Sequence, residues 1–265
     1  MKFAELAVSF AAVLFFSAGE LSGAAEPAAT ALKEPGAMLQ EGNWGYGDAG
    51  PLTMPSAFEG LALSAWPTDG WMRLMIEDKH IDVVAAPGVK GKPPVFMHSI
   101  LKQLEDSQSP VSVEAAPFEL TAEQAKAIYL RVPGASLHEG SAPLYLFKNG
   151  TSRLSPQLDY RYELMLGAQP FAFSVQNGLR GKNGAPYGDG AHYRIEYDGQ
   201  VYEYDLYGSG WHSHIEAVAD LDGDGKPDFI IYVDGDNSGA RYILLSSKAK
   251  PGKNPSTASL SSGGC

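Results

Sequence analysis

Asp220-Leu221-Asp222-Gly223-Asp224-Gly225-Lys226-Pro227-Asp228 joins two apolar stretches, His214 to Ala219 and Phe229 to Val233, and decides how the chain is read. Calcium takes six to eight oxygens at roughly 2.3–2.6 Å, so a short chain that holds it must turn sharply and aim several carboxylates inward. Asp220, Asp222 and Asp224 occupy positions one, three and five of such a loop. Gly225 at six permits the turn, the Lys226 carbonyl falls at seven and Asp228 at nine. Carboxylates crowded this densely repel one another unless a cation lies among them. Position twelve is Ile231 rather than the glutamate of a helix-flanked EF-hand, and it sits in a β-branched, apolar run. A strand, not a helix, is expected to leave the loop.

Outward from the loop, the second half reads as an antiparallel meander. Arg241 to Leu245 is a further short strand, preceded by Asp234-Gly235-Asp236-Asn237-Ser238-Gly239. That stretch imitates the start of a second loop, but its position nine is Tyr242, so it reads as a hairpin turn. Tyr193 to Tyr197 and Gln200 to Tyr207 form a hairpin about Asp198-Gly199. Leu144 to Phe147 and Thr151 to Leu154 form another about Asn149-Gly150, a pair that tolerates the positive φ of a tight turn. Asn149-Gly150-Thr151 is also a glycosylation sequon.

The first half mixes both kinds of pattern. Leu61-Ala62-Leu63 is β-like, and Trp71 to Ile76 and Ile81 to Val84 make a hairpin through Glu77-Asp78-Lys79-His80. Val95 to Leu104 places Phe96, Ile100, Leu101 and Leu104 at helical spacing. Thr121-Ala122-Glu123-Gln124 is a capping box, which predicts a second helix to about Leu130, ended by Pro133-Gly134. The fold class expected is therefore α+β, mostly antiparallel β: hairpins and a meander, two short helices, and a calcium loop between two strands. Residues 1–25 are read as a signal peptide, 26–40 as a linker and 41–135 as an N-terminal α+β region. Residues 136–250 are a C-terminal β-rich region, and 251–265 a flexible, irregular tail.

The run Ala219 to Phe229 closely resembles the calcium loops of FG-GAP/VCBS repeats, the β-hairpin repeats of integrin α-chain propellers and of many exported bacterial proteins. The resemblance extends from about His214 to Ser247, in a single copy. It implies a calcium-clamped β unit, with calcium roles on Asp220, Asp222, Asp224, Lys226 and Asp228.

Charge and composition narrow the partners. A formal charge of −11 with a pI near 5.0 excludes the clustered basic surface that nucleic acid needs, whereas it attracts divalent cations. Lys2, the apolar run Leu6 to Phe16 and the small residues Ser22-Gly23-Ala24-Ala25 have the form of an export signal. No later stretch is long and apolar enough to anchor the mature chain, so a periplasmic or secreted product without a membrane span is expected. The one cysteine, Cys265, has no intrachain partner and reads as an inert tail thiol ahead of a point for intermolecular pairing or attachment.

Other candidates for chemistry are weaker. His212, His214 and Glu216 alternate, so a strand would set two imidazoles and a carboxylate on one face, a feasible half of a zinc site but also an ordinary polar strand face. His80, His98, His138 and His192 are scattered, without a nucleophile elbow or a metalloprotease helix. Gly184 to Gly190 lacks the lysine of a phosphate loop and reads as a surface loop. Trp44, Trp66, Trp71 and Trp211 are read as core before a sugar-binding face. No catalytic residue is assigned. The function expected is that of an exported calcium-binding protein with a non-catalytic binding or cell-envelope role, whose partner is a cell-surface glycan or protein. The alternative is a secreted hydrolase in which calcium only stiffens the fold.

Overall fold

A computed structural model describes residues 33–40, 58, 61–62, 65–86, 127–177, 190–207, 213–234 and 238–263. All of them belong to one compact unit, Leu32–Cys265. Fourteen strands follow one another among them: β1 (Ala37–Gln40), β2 (Met72–Ile76), β3 (His80–Ala85), β4 (Ile128–Arg131), β5 (Gly140–Pro143), β6 (Arg161–Leu166), β7 (Gln169–Asn177), β8 (Gly190–Tyr197), β9 (Gln200–Tyr207), β10 (Ser213–Ala219), β11 (Asp228–Asp234), β12 (Ser238–Leu244), β13 (Gly252–Asn254) and β14 (Ala258–Gly263). They form three sheets, in the orders β1-β4-β2-β3-β5, β10-β11-β12-β14 and β13-β9-β8-β7-β6. Pairing is antiparallel except where β13 joins β9 in parallel.

The second sheet is the middle layer, and its strands divide their side chains between two cores. Phe229, Ile231 and Val233 of β11 pack with Phe171, Phe173, Tyr193 and Ile195 of the third sheet. Ile230, with Ala217, Ala219 and Ile243, packs with Met38, Leu74, Ile81, Val83 and Leu130 of the first sheet. A strand covered on both faces has no polar alternation, which is why 229–233 is a nearly unbroken apolar run. On β10 the register shifts between Ile215 and Ala217. That bulge turns Ile215 into one core and Ala217 into the other, whereas an unbroken strand would set residues two apart on one face.

The hairpins expected at 71–84 and 193–207 are present as β2–β3 and β8–β9. In the second, Asp198 and Gly199 both take positive φ, 51° and 68°, the geometry that matches the twist of a two-residue hairpin turn. No atom lies within 4 Å of a Cβ added at Gly199, so Gly199→Ala carries backbone strain alone and is expected to cost about 1–2 kcal/mol by denaturant unfolding. At 144–154 the turn forms, with Phe147 N–H donating to Thr151 carbonyl at 2.8 Å, but no strands flank it. Leu61 and Ala62 also lie outside any strand.

Three expectations are corrected. The described residues contain no α-helix. The helix expected at 121–130 gives way at its end to β4, because Ile128 and Leu130 are buried against Leu74 and Met38 while Tyr129 faces the opposite side, a period of two. The helix expected at 95–104 and the capping box at 121–124 lie outside the described residues. Residues 37–40, read as the end of a linker, are strand β1, paired with β4; Met38 enters the core beneath the sheet and Leu39 a third core above it. Much of the tail expected to be irregular is strand. β14 pairs with β12 over Ala258 to Gly263, while Gly36 N–H donates to Thr257 carbonyl at 2.8 Å and ties the start of β1 to this segment.

Candidate metal centre

The aspartate loop spans the turn from β10 to β11, as its sequence predicts. Asp220 follows the last residue of β10, and Asp228 opens β11 opposite Ala219. Gly223 and Gly225 take φ of 76° and 80°, the left-handed values that reverse the chain twice within three residues. The carboxylates hold the turn by accepting from its own backbone. Asp220 Oδ2 accepts from Gly225 N–H at 2.9 Å, Asp222 Oδ1 from Asp224 N–H at 3.3 Å and Asp224 Oδ1 from Lys226 N–H at 2.8 Å.

Asp220, Asp222 and Asp224 converge, each offering an oxygen within 4.8 Å of the others. Asp220 Oδ1 is buried and has no hydrogen-bond partner. Burial pushes the Asp222 carboxyl above its ordinary range, opposed by the Ser247 hydroxyl and reinforced by the negative charges of Asp224 and Asp220. An orphaned buried oxygen among mutually repelling carboxylates is a site that favours a cation.

Asp228 plays a different part. It is 1% exposed, and its two oxygens pin the loop to the strands. Oδ2 accepts from Leu221 N–H at 2.8 Å, and Oδ1 from Ser246 N–H at 2.7 Å and Ser246 Oγ at 2.9 Å. Burial pushes its pKa well above the usual carboxylate value, helped by the charge of Asp222 and opposed by those hydrogen bonds. Lys226 lies with its ammonium 3.4 Å from Asp198 Oδ2 and 5.8 Å from the centre of the Tyr197 ring, so its side chain links the loop to the turn of the β8–β9 hairpin.

Sequence reasoning missed two serines. Ser246 and Ser247 lie on a single 3₁₀ turn, Ser246–Lys248, after β12. Ser246 Oγ lies 3.0 Å from Asp224 Oδ2 as well as 2.9 Å from Asp228 Oδ1, so its one proton serves two carboxylates, and Ser247 Oγ hydrogen-bonds Asp222 Oδ2. No local pattern marks them; only the pairing of β11 with β12 carries them to the loop. From the other side, His138 N–H donates to Leu221 carbonyl at 2.8 Å.

The remaining candidates do not assemble. His214 Nδ1 lies 2.7 Å from Ser155 Oγ, and Glu216, displaced by the bulge, forms a two-pronged ion pair with Arg241 at 2.5 and 3.0 Å. The zinc reading fails for these two residues, and His212 lies outside the described ones. His80 pairs with Asp82 at 3.4 Å, and His192 with Asp205 at 2.7 Å. Asp234 pairs with Gly239 across β11 and β12, as a hairpin end does, while 235–237 lie outside the described residues. His98, Trp44, Trp211, Cys265 and residues 184–189 also lie outside them. Trp66 and Trp71 are core, packed with Phe58. Among the described residues, no helix is long and apolar enough to cross a membrane.

No curated protein and no solved structure matches the chain. The model of the FG-GAP repeat matches residues 215–244, from the third residue of β10 to the end of β12. The unit that carries the aspartate loop is therefore an FG-GAP repeat, present in a single copy within a mostly antiparallel β protein.

Proposed function

We propose that this is an exported calcium-binding protein with a non-catalytic binding or cell-envelope role, in which one calcium ion sits in the loop 220–228. The observation that carries the metal reading is the convergence of Asp220, Asp222 and Asp224 within 4.8 Å, with Asp220 Oδ1 buried and unpartnered. Two oxygens on opposite sides of a calcium ion at about 2.4 Å stand about 4.8 Å apart, so the spacing suits one shared cation. Asp220, Asp222 and Asp224 are the direct carboxylate ligands in this reading, and the Lys226 carbonyl adds a neutral oxygen. Asp228 Oδ2 accepts one hydrogen bond and keeps a second lone pair, so it can hold the loop and face the ion together.

The export and binding parts rest on other supports. They are the signal-like start of the chain, the net charge of −11 and the match to a repeat built from a strand, a loop and two more strands. The partner class proposed is a cell-surface glycan or protein.

Melting the full chain in calcium, in magnesium and in chelator tests the metal reading. At calcium a hundredfold above its dissociation constant, stabilisation of about 2.7 kcal/mol is expected, visible as a higher midpoint in calcium alone. Midpoints that coincide in calcium and chelator, together with no calorimetric heat on titration, would remove the proposal. A glycan and protein array read for both binding and turnover tests the role, and turnover of any arrayed compound overturns it.

A further inference from the structure

The first sheet has a second face, turned away from the FG-GAP unit, and part of it is a cleft. Register sets Arg73 beside Val84 and Met75 beside Asp82, which in turn faces Ser141 on β5. Their strand neighbours Leu74, Ile81 and Val83 are fully buried in the core shared with the middle sheet, so these five side chains point the other way. With Glu139 and Glu77 they line a cavity of about 400 Å³, a size suited to a small ligand. Its floor is partly apolar, for Met75 is buried and Val84 is exposed.

Charge of both signs lines this cleft. Arg73 Nε is buried without an acceptor, and among the described residues no hydrogen bond or ion pair reaches its guanidinium. By contrast, Arg131, Arg161 and Arg241 all hold carboxylates. Glu77, Asp82 and Glu139 share the cleft with Arg73, yet none stands within ion-pair distance of it. Among the described residues, Asp82 alone of the three has an ion-pair partner, His80 at 3.4 Å. Arg73 as a whole is half-buried and its two terminal Nη groups are not buried orphans, and the Nη edge of a guanidinium is matched best by a planar anion that takes two parallel hydrogen bonds. A phosphate dianion meets repulsion from three carboxylates, whereas a carboxylate that brings its own ammonium group satisfies both signs.

We propose that this cleft binds a small ligand that joins a carboxylate to an amine through an apolar stem. The carboxylate lies on Arg73, the stem on Met75 and Val84, and the ammonium toward Asp82 and Glu139. A free lysine has these groups, and so does a lysine at the C-terminus of a peptide. The site is on a different sheet from the aspartate loop, and its occupancy does not depend on calcium being bound there.

Titration calorimetry of the full chain with L-lysine, cadaverine and acetate tests the proposal, in calcium and again in chelator. Saturable lysine binding is expected in both buffers, so a failure of the calcium reading leaves this result intact. Cadaverine lacks the carboxylate and acetate the ammonium, and each is expected to bind at least about tenfold more weakly. Arg73→Gln is expected to weaken lysine by about tenfold or more, and Glu139→Gln, at an exposed position less able to disturb folding, by several-fold. Nα-acetyl-L-lysine that binds as tightly as lysine identifies a peptide end as the source, and its loss identifies the free amino acid. No saturable lysine heat, cadaverine binding as tight as lysine, or unchanged lysine affinity in Glu139→Gln and in folded Arg73→Gln each overturns the proposal.

Discussion

Asp228→Ala is expected to lower the unfolding free energy by about 3–5 kcal/mol, and to do so in chelator as well as in calcium. The carboxylate is 1% exposed and accepts from Leu221 N–H and Ser246 N–H, each under 3 Å. Truncation leaves both buried donors without an acceptor, at about 1–3 kcal/mol each, and opens a small void beside them. Part of the loss is offset, because burial holds this carboxyl at a raised pKa and its ionised form is the disfavoured one. Asp228→Asn tests the geometry. One amide oxygen serves one N–H while the amide nitrogen confronts the other donor, so a loss of about half that of alanine is expected. Urea unfolding with and without chelator measures both, and a loss confined to calcium would make Asp228 a ligand only, not a pin.

Asp224→Ala is expected to act in the opposite pattern, removing most of the calcium-dependent gain of about 2.7 kcal/mol while costing little in chelator. Asp224 is exposed, and of its partners Lys226 N–H is exposed, so that water replaces the lost acceptor, while the buried Ser246 Oγ keeps Asp228 Oδ1 at 2.9 Å. It supplies one of the three converging carboxylates, so its removal lowers both the number of ligand oxygens and the local negative charge. Asp236→Ala, in the neighbouring aspartate and glycine stretch, is the control and is expected to keep the full calcium shift. An equal loss in both variants would move the metal to the other turn. The pair Asp228 and Asp224 would thus separate two uses of the same residue type within one loop: a buried acceptor that folds the chain and, in the calcium reading proposed above, an exposed one that meets the ion.

The strands legible in the sequence are those whose neighbours are close along the chain. β8–β9 is announced by alternating aromatic and β-branched residues around Asp198-Gly199, and β2–β3 by a polar turn between two apolar runs. The strands that were not legible depend on distant partners. β14 has only Ala258 and Leu260 as apolar residues in the core, and its order comes from the ladder with β12 and from the contacts of Glu34 with Ser256 and Ser259. Ile128-Tyr129-Leu130 follows a capping box and has no breaker before Pro133, yet it is a strand, because β1 and β2 offer ladders on both its edges. Tertiary pairing overrode local propensity there.

The sequence alone determined the turn from β10 to β11, since two glycines at positive φ and the carboxylates that accept from the loop's own N–H groups are all local. It also determined that an apolar strand follows, because 229–233 has no polar alternation. Only the tertiary structure decided that Asp228 faces inward to Ser246, that two serines beyond the repeat hold Asp222 and Asp224, and that Glu216 is taken by Arg241. Those choices follow from sheet register and from a bulge, and register is set by which faces are buried between layers, a quantity that no single stretch of chain contains.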